Sequence, residues 1–202
     1  MKPNHTVIKA LAASLLVVFL AGTSQAIIIR YQAVLNGPSE SPPNASLGTG
    51  FAEVDYNNVA HTLFIDVTFS GLTGNTTASH IHAATPTPGT GTAGVATTTP
   101  TFANFPLGVT SGTYINTLDL TLASSYNPAY VTANGGTTAG AEAALVAALA
   151  ADEAYLNIHS SSFGGGEIRG FLLAVPDQSS TAALLGLSTG ALAWLSRRLK
   201  RA

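Results

Sequence analysis

Every second side chain is apolar in the run Leu63-Phe64-Ile65-Asp66-Val67-Thr68-Phe69. A period of two is typical of a β-strand that buries one face. Similar short runs, rich in β-branched and aromatic residues, are separated by clusters of Gly, Pro and Asn and lie at 28–35, 51–56, 114–122, 155–159 and 168–173. This spacing predicts an all-β fold, an antiparallel β-sandwich or a barrel-like single domain.

Two segments depart from the strand pattern. Residues 139–153 are rich in alanine and predict one helix that connects two strands, with Leu145 and Leu149 on the same face. Residues 85–100 are rich in Thr, Pro and Gly, a composition that predicts a long exposed loop.

The first 26 residues have the features of a secretory signal peptide. Lys2 and Lys9 precede an apolar run at 10–21, and small residues stand at Ser24 and Ala26. That run is too short to cross a bilayer of about 30 Å comfortably. We therefore expect export and cleavage after Ala26.

The C-terminal part of the chain contains a second signal. Residues 175–202 begin with Val175-Pro176-Asp177, continue with an apolar run at 182–195 and end in a basic cluster that includes Arg197 and Arg198. An apolar segment followed by basic residues predicts a C-terminal transmembrane helix with the basic end in the cytoplasm. The folded domain is then expected at residues 27–174, outside the inner membrane.

The same C-terminal residues resemble a PEP-CTERM sorting signal in its Val-Pro-Asp form. The resemblance implies processing by a protease of the exosortase type. It also implies a Gram-negative bacterium, with the protein first anchored in the inner membrane and then placed at the cell surface or in an extracellular polysaccharide or biofilm matrix.

Charge and composition exclude several functions for residues 27–174. Arg30 and Arg169 are the only basic residues in this range, against nine acidic ones, so the net charge is about −7. Such a domain has too few cations to neutralise nucleic-acid phosphates or to bind anionic lipid. The chain has no cysteine, which excludes disulfides and thiolate sites.

Three histidines lie in strand-like settings. In His80-Ile81-His82 the period of two places both imidazoles on one face, and His159 follows the apolar residues of the run at 155–159. Glu167 and Arg169 flank an isoleucine in the next run in the same way. If these strands are neighbours, one polar face collects His80, His82, Asn157, His159, Glu167 and Arg169.

The motifs around these residues also resemble those of the CHRD domain, the repeat unit first described in chordin. The resemblance rests on four motifs in the family's order, a Ser-Gly-Leu-Thr-Gly turn at 70–74, His-Ile-His at 80–82, Asn-Ile-His at 157–159 and Gly-Gly-Glu-Ile-Arg-Gly at 165–170. It extends from about residue 31 to residue 173. It implies a β-sandwich-like extracellular module with no established catalytic activity.

The histidine face has three interpretations. His80, His82 and His159 can bind zinc or copper, with Glu167 as fourth ligand or as a hydrogen-bond partner of a ligand. Alternatively, the face is a structural network in which Glu167 pairs with Arg169 or with a histidine and Asn157 takes part. An enzyme related to superoxide dismutase is disfavoured, because that chemistry needs more histidines and a disulfide. No hydrolase elbow or phosphate loop is present in the sequence.

Two function classes follow from these observations. The first is an exported, non-enzymatic interaction module that binds a polysaccharide or a surface protein. The second is a periplasmic or surface protein that binds a metal through the histidine face. The sequence leaves both open.

Overall fold

The computed structural model describes residues 27–176. The predicted signal peptide and the sorting residues Asp177, Arg197 and Arg198 lie outside the described residues, as does the predicted transmembrane helix. Between residues 27 and 176, no helix has both the length and the apolar character needed to cross a membrane.

The described residues form one antiparallel sheet that curls into a half-barrel, with a few short helices. The strands are β1 (Ile28–Asn36), β2 (Thr49–Asn57), β3 (Thr62–Ser70), β4 (Thr76–His82), β5 (Gly112–Asp119), β6 (Tyr155–Ser160), β7 (Ile168–Phe171) and β8 (Leu173–Ala174). The order of strands across the sheet is β4-β6-β7-β1-β2-β3-β5, and β8 pairs with β1. The α-helices are α1 (Pro128–Ala133) and α2 (Thr138–Ala150). The predicted all-β antiparallel fold is confirmed.

The concave face of the sheet carries the core. Leu63, Ile65 and Val67 of β3 are fully buried, as the period of two predicts. Tyr31 and Leu35 of β1 lie on the same side and are buried too. Apolar burial of this kind is the main stabilising contribution to a small domain.

Helix α2 covers one end of this core. Its buried face includes Leu145 and Leu149, which confirms the predicted Ala-rich helix. The Thr137 side chain caps the helix by accepting a hydrogen bond from the Gly140 amide. Helix α1 was not predicted, although Asn127 caps it and Pro128 occupies its first turn.

The predicted loop at 85–100 is present and most of its residues are exposed, but the segment at 85–111 that contains it is also attached to the sheet. It runs along the open edge of β4, where the Ala96 amide donates to Ile81 O at 2.9 Å and the Phe102 amide donates to Ser79 O at 3.1 Å. The Phe102 ring is fully buried and stacks on Tyr114 of β5, with ring centroids 5.4 Å apart. An unpaired strand edge needs hydrogen-bond partners, and this segment supplies them.

A buried carboxylate joins three parts of the chain. Glu167 has no exposed surface. It accepts hydrogen bonds from Ser46 Oγ at 2.6 Å, from the Thr73 amide and from the Gly74 amide at 3.2 Å. These donors belong to the segment before β2 and to the turn before β4. Burial by itself would raise the pKa of Glu167, but hydrogen bonds from serine hydroxyls and these amides outweigh burial and lower it.

We expect Glu167→Ala to lower the free energy of unfolding by about 3 kcal/mol, because it leaves several buried donors without an acceptor. Urea unfolding at pH 7 measures the loss. The control is Asp66→Ala, which removes a carboxylate from the face of β3 that points away from the core. This change is expected to alter the free energy of unfolding by less than about 0.5 kcal/mol. Equal losses in the two variants would contradict this role of Glu167.

Candidate metal centre

Strand pairing brings the predicted polar residues onto one face. In the ladder between β4 and β6, His80 lies opposite Asn157, and Ala78 lies opposite His159. In the ladder between β6 and β7, Asn157 lies opposite Arg169. The three strands are therefore neighbours, as the polar-face hypothesis required.

The three histidines form one cluster. One ring nitrogen from each of His80, His82 and His159 lies within 4.8 Å of the others. The ring centroids of His80 and His159 are 5.3 Å apart, and those of His80 and His82 are 5.8 Å apart. His80 and His82 are 6% and 8% exposed, and His159 is partly buried.

A backbone carbonyl fixes each imidazole. His80 Nε2 donates to Pro100 O at 2.6 Å, His82 Nδ1 donates to Ala93 O at 2.9 Å, and His159 Nδ1 donates to Gly164 O at 2.9 Å. A carbonyl oxygen can only accept, so these nitrogens carry the ring proton. The other nitrogen of each neutral ring is then a free lone pair.

Those lone pairs have no hydrogen-bond partner within residues 27–176. His80 Nδ1, His82 Nε2 and His159 Nε2 are all buried. Buried polar atoms in native proteins are nearly always satisfied, so a cluster of three such nitrogens is a place where a water molecule or an ion can bind. Neutral imidazoles held through their other N–H group by a carbonyl are the usual protein ligands of zinc and copper. The three histidines can hold such an ion.

The electrostatics of the cluster favour the ligating form of histidine. Burial lowers the pKa of His80 to about 4, and the neighbouring His159 and His82 act in the same direction. Burial also lowers the pKa of His82 and of His159. The rings are therefore neutral at pH 7 and need no deprotonation before they bind a metal.

Arg169 supports the cluster from one side. Its guanidinium lies over the Tyr155 ring, 4.7 Å from the centroid, and that ring stacks on His82 at 4.8 Å. The guanidinium also donates to Ser39 O and, at 3.0 Å, to Gly91 O. The predicted pair between Glu167 and Arg169 is not formed, since the carboxylate nearest to Arg169 is Glu40, at 3.8 Å.

Glu167 is not part of the cluster. Its carboxylate bonds to Ser46, Thr73 and Gly74, and the set of converging ligand atoms contains only the histidines. Glu167 stands just before β7, after Gly166 with a φ of 132°, so the alternation of the strand does not extend to it. The structure thus gives Glu167 a role apart from the histidines, and it places Asn157 among them.

Sequence reasoning missed the three carbonyl acceptors. They belong to Ala93, Pro100 and Gly164, and a backbone carbonyl has no side-chain signature.

Of the predicted sorting residues, Val175 and Pro176 follow β8 directly, and the Val175 amide donates to Arg30 O at 2.8 Å.

Two family models match the chain. The model described as the CHRD domain matches residues 31–172, a range that includes the three histidines and Asn157. The model of the VPDSG-CTERM motif matches residues 174–199. Searches of curated proteins and of solved structures found no match.

We expect the histidine cluster to make the metal-free protein less stable in acid. The pKa of His80 is lower in the folded than in the unfolded chain, so the unfolded chain binds more protons between about pH 6.5 and pH 4. The free energy of unfolding then falls as the pH falls, by at most about 1.4 kcal/mol per pH unit for one group. Urea unfolding in the presence of a chelator at pH 7, 6 and 5 measures this slope.

The comparison with His80→Gln isolates the contribution of His80. Burial raises the pKa of Glu40 to about 7, which opposes the histidines over part of the same range in every variant. His80→Gln is expected to lose less stability between pH 7 and pH 5 than the unmodified protein. An unchanged slope in His80→Gln would show that His80 does not titrate as described.

Proposed function

The chain belongs to the CHRD domain family, and we propose that it is an exported surface protein whose domain binds one zinc or copper ion at His80, His82 and His159. The observation that carries this proposal is the convergence of three histidines, each of which has one buried ring nitrogen without a hydrogen-bond partner.

Hydrogen bonding within the cluster favours a metal over a structural network. A network requires a donor for each acceptor, but each ring N–H is already used by a carbonyl that lies outside the cluster. The Asn157 amide has only two N–H groups, which is too few for three free ring nitrogens. Within residues 27–176 no carboxylate bonds to His80, His82 or His159. Three acceptors that face one another repel unless a cation or a donor lies between them.

Delivery to the surface is supported by the C-terminal motif. The VPDSG-CTERM match implies processing by a sorting enzyme of the exosortase type, and we assign the inner membrane as the site where the C-terminal segment is held before processing. The destination we propose is the surface or the extracellular matrix of a Gram-negative cell.

We propose that the bound ion does not catalyse a reaction. A catalytic zinc site keeps one coordination position open to water or substrate. The three free ring nitrogens here are buried from solvent, so the cluster gives a substrate no direct approach. A metal in this position stabilises the domain or is itself stored there.

A second candidate function is recognition of a matrix polysaccharide. An open groove of about 930 Å³ lies beside β1, β2 and β7, where the Phe51 and Phe171 rings stand near the amides of Gln32 and Asn36. Aromatic rings beside amide groups provide both stacking surface and hydrogen bonds, the combination that suits a sugar ring. Phe51 is exposed and free to stack.

We expect the purified protein, after treatment with a chelator, to bind one equivalent of zinc or copper(II) and to melt at a higher temperature when the ion is present. A ligand at 100 times its Kd adds about 2.7 kcal/mol to the free energy of unfolding. Metal analysis by mass spectrometry and thermal melts measure both effects.

Matched histidine variants make this test specific. His82→Ala and His159→Gln are expected to weaken binding by more than about 100-fold, since loss of a supporting residue alone costs 10–100-fold. His61→Ala removes a histidine outside the cluster, beside Glu142, and is expected to bind like the unmodified protein. Equal metal binding by all three variants, or none by the unmodified protein, would refute the metal site.

For the groove, we expect Phe51→Ala to weaken retention in gels that contain the matrix polysaccharide by up to about tenfold, because a stacked ring contributes about 0.5–1.5 kcal/mol. The control is Ile115→Ala, which removes an exposed apolar side chain on β5, away from the groove. Identical retention of the two variants would rule out stacking on Phe51.

A further inference from the structure

We infer that Asn157 completes the metal site through Oδ1, which makes it a closed site of three imidazole nitrogens and one amide oxygen. This inference rests on the proposed metal-binding function and names the fourth ligand. It replaces the carboxylate of Glu167, which the fold places elsewhere.

The position of Asn157 in the sheet is central to the cluster. It lies on β6 two residues before His159, so both side chains project from the same face. It is also directly opposite His80 in the ladder with β4, and opposite pairs have Cβ atoms about 4.5–5.5 Å apart. Its amide is thus flanked by two ligating histidines.

The Asn157 amide is buried and lacks a partner for its oxygen. The residue is 2% exposed, and Oδ1 accepts no hydrogen bond of good geometry from any residue between 27 and 176. Its side chain nevertheless lies close enough to His82 to oppose the burial that lowers the pKa of that ring. A buried amide oxygen is normally satisfied, because it loses its bonds to water when it leaves solvent. The strand β6 is buried along nearly its whole length, so water from the bulk solvent does not satisfy this oxygen.

Four orphan acceptors share this face of the sheet. They are His80 Nδ1, His82 Nε2, His159 Nε2 and Asn157 Oδ1. One water molecule can donate only two hydrogen bonds, so it leaves two of the four atoms unsatisfied. A single cation satisfies all four at once.

The donor set indicates the class of metal. Imidazole nitrogen and amide oxygen suit the divalent ions Zn²⁺ and Cu²⁺, whereas Cu⁺ prefers sulfur ligands, which the cluster does not contain. The nearby cation, Arg169, has its guanidinium engaged by Ser39 O, Gly91 O and the Tyr155 ring, and Glu40 lies 3.8 Å from it. Because all four ligands are neutral, the bound divalent ion keeps its positive charge.

A closed site predicts that the bound ion has no water ligand. We would load the full protein with Cu²⁺ alone and measure the relaxation rate of solvent protons, which rises when an exchanging water is bound to the ion. We expect little enhancement beyond that of a buried ion. A strong enhancement in the unmodified protein would show a water in the fourth position and overturn the assignment to Asn157, whether or not any variant folds.

Variants of Asn157 give the second arm. Asn157→Leu is expected to bind one Cu²⁺ through the three histidines, about tenfold more weakly, with increased proton relaxation as water enters and with a changed electron paramagnetic resonance spectrum. Asn157→Asp is expected to restore an oxygen ligand, with low relaxation and a Kd at least as tight as that of the unmodified protein. Asn116→Leu, on β5, is the control.

The outcomes separate this inference from the proposed function. If Asn157→Leu has the spectrum, relaxation and affinity of the unmodified protein, Asn157 is not a ligand but the histidine site stands. If the unmodified protein binds neither Cu²⁺ nor Zn²⁺, both the site and its fourth ligand are refuted.

Discussion

The antiparallel ladder between β4 and β6 determines both the packing of the core at this end of the sheet and the composition of the histidine cluster. It holds Ile81, Leu156 and Ile158 in the core and, by the same alternation, sets the histidines on the opposite face. That face is covered by the segment at 85–111 and by the turn after β6. Backbone carbonyl groups in these two segments accept hydrogen bonds from the ring N–H groups of the histidines. Any change that shifts the ladder by one residue would exchange the two faces, so core packing and the donor set are specified together.

The two buried acidic residues near this face have different environments. Glu167 is surrounded by hydroxyl and amide donors, which favour its charged form and fasten the turns that precede β2 and β4. Glu40 lies beside Arg169 but has an orphan oxygen, and burial dominates its titration. The histidines have neither donors nor acids between them and are kept neutral by burial. The buried polar groups that are given hydrogen-bond donors thus stabilise the fold, and those without donors remain available to a ligand.

Periodicity predicted the parts of this structure in which side chains alternate or repeat. The strand at 63–69, the helix with Leu145 and Leu149, and the shared face of His80 and His82 could all be read from the sequence. The packing of residues 85–111 could not, because Thr, Pro and Gly indicate an irregular backbone without indicating which strand edge it covers. The role of Glu167 was wrongly placed, since the alternation ends at Gly166. The sequence placed Asn157 on the polar face but did not indicate it as a ligand. Its selection as a ligand rests on a side-chain oxygen without a hydrogen-bond partner, which only the structure reveals.

The hydrogen bond from the Val175 amide to Arg30 O ends the sheet at the first residue of the sorting motif. Only residues 175–181 separate this anchor point from the predicted membrane segment, and a chain of that length spans at most about 25 Å. If the apolar run at 182–195 is held in a membrane, as we propose, this short tether keeps the folded domain within that distance of the bilayer until the chain is cut. Because β1 to β8 all end before Val175, a cut beyond Pro176 would leave the described sheet whole, and release would not require the domain to unfold.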